Sequence, residues 1–116
     1  MVDNIKDWLD WEFSSGGTTG EDFKRFARDF RKSIKEKLPE RAELVNWNNG
    51  HYYVSGFVKR ENKYVYFSIS DVRFFKDDWY GHILIRTAEN DKDYTGGSNC
   101  FILLESFTRE VDKLLN

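Results

Sequence analysis

The sequence predicts an α+β protein built as a two-layer sandwich. A four-stranded antiparallel meander carries N-terminal helices and a C-terminal helix packed on it. Three observations predict this. A helical stripe of apolar residues runs from Phe23 to Leu38. A strictly alternating segment, "KYVYFSIS", covers residues 63–70. Short turn signals separate the β-type segments and leave no room for crossover helices.

The elements follow in order. Val2, Ile5, Leu9 and Phe13 share a helical face over Asp3–Phe13, with Trp8 at its edge, and "SSGGTTG" then interrupts the chain as a connector. Thr18 or Thr19, followed three residues later by Glu21 or Asp22, reads as a capping box for the second helix. There Phe23, Phe26, Ala27, Phe30, Ile34 and Leu38 fall within about 120° of arc, and Pro39 stops the run. "AELVNWN" leads into Asn49-Gly50, a hairpin signal, and "HYYVSGFVKR" returns. After "RENK" comes the alternating strand, with Val65, Phe67 and Ile69 on one side and Tyr64, Tyr66, Ser68 and Ser70 on the other. "HILIRT" is the fourth strand. A last helix is expected over Leu103–Leu115, with Leu104, Phe107, Val111, Leu114 and Leu115 as its buried stripe.

Totals narrow the class. A chain of 116 residues predicts one domain, 1–116, large enough to bury a core without staples. At 17% aromatic, that core is built largely from flat rings. A net charge of −2 argues against a generally basic nucleic-acid binder. The single cysteine, Cys100, excludes an internal disulfide and a cysteine-built zinc site; in "NCFILL" it reads as a buried, inert thiol. The start, "MVDNIKDWLDWEF", carries acids where a signal peptide has its apolar core, and no apolar run approaches the ~20 residues of a membrane span. A cytoplasmic protein without membrane contact is the expectation.

Candidate sites are few. "DYTGGSN", between a strand and a helix, sets Thr95, Gly96, Gly97 and Ser98 where backbone amides can cradle an anion, with Arg86 and Lys92 close by in sequence. Neither GxxxxGK[ST] nor GxGxxG is present, and paired glycines also serve turns that need positive φ, the reading favoured here. The stretch "ILIRTAENDKDYTGGSN", Ile83 to Asn99, resembles small uncharacterised proteins of Gram-positive phages and conjugative elements. The resemblance covers that segment, the chain size and the element order. It implies a mobile-element origin and carries no activity or residue role.

The second helix has a divided polar surface. Asp22, Asp29 and Glu36 line one flank, whereas Lys24, Arg28, Arg31 and Lys35 occupy the other within about 60°. Arg25 and Lys32 are spaced to pair with Asp29 and Glu36, but the four outer cations have no carboxylate at good spacing. Such a row suits an acidic protein surface or phosphates, or it is a solvated face. On the sheet, Tyr64 and Tyr66 are expected to face away from the helices with Tyr53 and Phe57. Exposed, they would anchor a partner or stack bases; covered by the Trp8/Trp11 helix or by "FFKDDWYG", they would form a second core layer.

Catalysis has less support. His51 and His82 are the only histidines, and His82, Arg86 and Glu89 are the candidates for a metal-independent ribonuclease. No metal-ligand spacing, nucleophile motif or cofactor signature is present. The sequence therefore favours a non-enzymatic interaction module. Its binding residues would be Lys24, Arg28, Arg31 and Lys35, or Tyr53, Phe57, Tyr64 and Tyr66, and its partner a protein. Nucleic-acid binding and then ribonuclease activity are the alternatives, and a homodimer through a self-complementary aromatic face is open.

Overall fold

The structure, a computed structural model, describes residues 21–49, 53–69, 83–95 and 97–116, with main chain alone at 21–23 and 25. Helix α1 (Glu21–Glu36) precedes strands β1 (Glu43–Asn49), β2 (Val54–Arg60), β3 (Lys63–Ile69), β4 (Ile83–Ala88) and β5 (Cys100–Ile102). A 3₁₀ turn, Leu104–Ser106, then leads into helix α2 (Phe107–Leu115). The sheet order is β1-β2-β3-β4-β5, every neighbour antiparallel. The α+β meander expected from the sequence is therefore present, with five strands among the described residues in place of four. No described helix is long and apolar enough to cross a membrane.

The fifth strand corrects the reading of "NCFILL". Cys100, Phe101 and Ile102 pair with Ile85, Leu84 and Ile83, and the helix begins only after them. A three-residue strand is too short for its alternation to stand out beside an apolar helix start. It lies at the sheet edge, which leaves Cys100 exposed instead of buried. The helix expected over Asp3–Phe13 lies outside the described residues, as do Gly50, His51, Ser70, "FFKDDWYG" and His82. Asn49 pairs with Val54, so the β1–β2 connection spans 50–53 and is longer than a two-residue Asn-Gly turn.

Period explains the core. Val65, Phe67 and Ile69 are buried on β3 while Tyr64, Tyr66 and Ser68 alternate on the other face. From α1, Phe26, Ala27, Phe30 and Ile34 press on the same side, and Leu104, Phe107, Val111 and Leu115 join them from the C-terminal segment. Rings run through this layer: Phe26–Phe30 at 5.7 Å between centroids, Phe30–Trp47 at 6.2 Å, Trp47–Phe67 at 6.0 Å and Phe67–Phe107 at 5.6 Å. Each fully buried Phe contributes roughly 2–3 kcal/mol of transfer free energy. Gly56 makes room for them, because a Cβ there would sit 3.0 Å from Phe67 Cζ.

Two devices hold the layers in place. Arg60, largely buried at the end of β2, donates to Asp112 of α2 at 2.8 Å, to the Asn116 side chain at 2.9 Å and to the Glu40 carbonyl at 3.2 Å. Thr108 donates its hydroxyl to the Lys37 carbonyl at 2.6 Å, linking the start of α2 to the end of α1.

Candidate functional site

The outer face of the sheet is built in rows fixed by register. Val45, Phe57, Tyr66 and Arg86 lie opposite one another across β1 to β4, and Lys59, Tyr64 and Ala88 form the next row. Tyr64, Tyr66 and Phe57 thus point away from the helices, as their alternation requires. Lys59 sits over the Tyr64 ring at 5.7 Å.

This face is covered over its central row. The β4–β5 connection arches back over the sheet and lays Tyr94 on Phe57 at 5.5 Å and on Tyr66 at 5.9 Å, both edge-on. Phe57 and Tyr66 are themselves 5.2 Å apart. Phe57 is completely buried and offers no surface to a partner, although Tyr53 remains 40% exposed and Tyr64 and Tyr66 are half-buried. The far end of the arch is tied to β1. Asn46 Nδ2 donates to the Asp91 carbonyl at 2.6 Å and to the Tyr94 hydroxyl at 3.2 Å. Asn46 reaches it from a bulge between Val45 and Asn48, at φ 51, a left-handed conformation that asparagine tolerates better than most residues.

Beneath the arch lies Arg86, only 4% exposed. Its guanidinium stacks on Tyr66 at 4.3 Å and donates to the carbonyls of Asp93 at 2.9 Å and Thr87 at 3.3 Å. No described carboxylate is in ion-pair reach of it; its partners among the described residues are carbonyl dipoles and the ring face. Arg86, a candidate beside His82 and Glu89, is thus held within the arch and is nearly closed to solvent. Glu89 is exposed, and His82 lies outside the described residues.

The glycine loop also has a structural explanation. Asp93 accepts from the amides of Glu89 at 3.0 Å and Thr95 at 3.2 Å, so the loop's own carboxylate takes the first amide of the candidate cradle. Gly97 has φ 76 and passes so close to β4 that a Cβ would fall 2.5 Å from the Thr87 carbonyl oxygen. Thr95 and Ser98 are exposed, and Gly96 lies outside the described residues. A shallow cavity of about 420 Å³ borders Thr87, Glu89, Asp93, Thr95 and Gly97; its wall is more acidic than a phosphate site requires. Sequence reasoning named neither Asn46 nor Tyr94. The available signal was a lone tyrosine amid the otherwise polar connection "ENDKDYTGGSN", where one apolar side chain marks the point at which a loop is anchored.

The cationic row of α1 is the exposed alternative. Lys24, Arg28, Arg31 and Lys35 are all exposed, and none forms an ion pair with a described residue. Lys32 and Glu36, spaced to pair, form no ion pair among the described residues either. Arg31 lies over the Trp47 ring at 5.6 Å, which puts that member of the row beside β1, the first strand in the sheet order. No group of three or more potential metal ligands occurs among the described residues. Comparison with protein-family models, curated proteins and solved structures finds no match, so function is read from this geometry alone.

Proposed function

We propose that the protein is a non-enzymatic interaction module that docks an acidic surface of a protein partner on the α1 row formed by Lys24, Arg28, Arg31 and Lys35. The observation that carries this reading is four exposed cations on one helix flank with no ion pair to a described residue. Helix stability does not account for the row. Lys24 stands in the first turn, where the macrodipole disfavours a cation, and only Lys35 stands in the favourable last turn. The burial of Phe57 shifts the weight from the sheet face to this helix; Tyr53, Tyr64 and Tyr66 remain as a smaller flank.

The test is capture by immobilised protein. Replacing Lys24, Arg28, Arg31 and Lys35 with alanine removes the captured acidic partner, whereas Tyr64→Ala with Tyr66→Ala reduces it less. If the captured set is the same for wild type and the helix variant, the row is not the docking surface. Nucleic-acid binding is the outcome to separate. A steep loss of oligonucleotide or heparin binding with added salt would favour it, through release of counterions from the phosphate backbone. A protein partner is favoured here because the chain lacks the general basic excess that binding along a phosphate backbone draws on, its overall charge being −2.

A further inference from the structure

We infer that the partner presents an extended acidic segment, which adds as a further strand to the outer edge of β1 beside the cationic row. The inference rests on the docking surface proposed above and specifies the shape of what binds there. Three observations place it. β1 is the terminal strand of the sheet, with no strand beyond it among the described residues, so its outer main-chain groups can pair with an added strand. Apart from Glu43 at its start, β1 carries no charge to repel a neighbour. Arg31 of the row stands next to that strand, since both Phe30 and Arg31 meet Trp47. After the short 37–42 connection, β1 runs back along α1.

The spacings match. Lys24 to Arg28, and Arg31 to Lys35, are each about 6 Å apart along the helix at 1.5 Å per residue. Same-side residues of an extended chain repeat every ~6.8 Å. A segment with carboxylates at alternate positions therefore sets two neighbouring ones near Arg31 and Lys35, with its main chain on β1. The bulge between Val45 and Asn48 interrupts the edge, and Asn46 is engaged by the arch, so pairing concentrates on Glu43–Val45. Arg31 and Lys35, on the half of α1 nearer β1's start, should then matter more than Lys24. A second copy of this chain is a poorer occupant, because β1-to-β1 pairing would bring two cationic rows together.

The experiment titrates the full chain with a short synthetic peptide alternating glutamate and valine. Fluorescence of a variant keeping Trp47 as its one tryptophan (Trp8, Trp11 and Trp79 replaced by Phe) and hydrogen exchange at Glu43–Val45 report binding. Slowed exchange there, with affinity about tenfold weaker after N-methylation of alternate peptide amides, is the expected result. Arg31→Ala with Lys35→Ala should weaken it similarly while lowering the melting temperature by no more than about 5 °C, the loss of one exposed cation–ring contact. Equal binding of the N-methylated peptide would overturn strand addition and leave the helix row standing. Binding indifferent to the Arg31 and Lys35 changes would overturn both. Absence of peptide binding at low salt, or dimerisation through β1, overturns the inference, and the capture experiment then judges the row separately.

Discussion

Replacing Gly97 with alanine tests whether the glycine loop exists to close the arch. The new Cβ would lie 2.5 Å from the Thr87 carbonyl oxygen, where ordinary contact begins at 3.4 Å, so the arch must withdraw by 3.4 − 2.5 = 0.9 Å or β4 must yield. The backbone sits at φ 76, a left-handed conformation that costs an L-residue roughly 1–2 kcal/mol. Withdrawal also loosens the two edge contacts of Tyr94 with Phe57 and Tyr66, each worth about 0.5–1.5 kcal/mol. Together these give a loss of roughly 2–5 kcal/mol, or about 8–20 °C in Tm for a domain of this size. Thermal unfolding followed by circular dichroism measures it. Gly97→Asn should recover only the conformational part, because asparagine tolerates the left-handed region but brings the same Cβ. A Gly97→Ala protein melting within about 3 °C of wild type would refute the close approach and reopen the loop as a ligand site.

Two further outcomes are expected. Arg60→Ala should cost about 1–2 kcal/mol in urea unfolding, because three acceptors lose a charged donor while solvent at the half-exposed Asp112 screens part of the gain; an unchanged midpoint would show that the clamp does not hold α2. Glu110 titrates below the ordinary value of 4.5 because Arg109 and then Lys113 donate to its carboxylate. A folded-state pKa lowered in this way adds stability that is present above the unfolded-state value and lost as the pH falls through the lowered one. Carboxyl NMR should show the midpoint rising towards 4.5 in Arg109→Ala, and a midpoint that stays put would leave the pairing without effect.

Local periodicity determined the second helix and the longer strands on its own account, though not the three-residue β5. Phe26, Phe30 and Ile34 at helical spacing, and Val65, Phe67 and Ile69 at spacing two, can each bury only one side, so either pattern names its core face without a partner in view. The cation row was legible for the same reason: angular position on a helix follows from residue number alone. A covered outer face was one of the two readings the sequence allowed, but Tyr94 as its cover was not legible. Tyr94 reaches Phe57 and Tyr66 only because the sheet order brings β2 and β3 under the β4–β5 connection, and Asn46 meets Tyr94 across 48 positions of chain. Cys100 and Arg86 changed roles likewise. A thiol in an apolar run becomes exposed when that run is an edge strand, and a cation in a strand becomes buried when a loop closes over its face. Repeat spacing declares which side of an element avoids water; which distant segment supplies the cover is decided only when the chain has closed on itself.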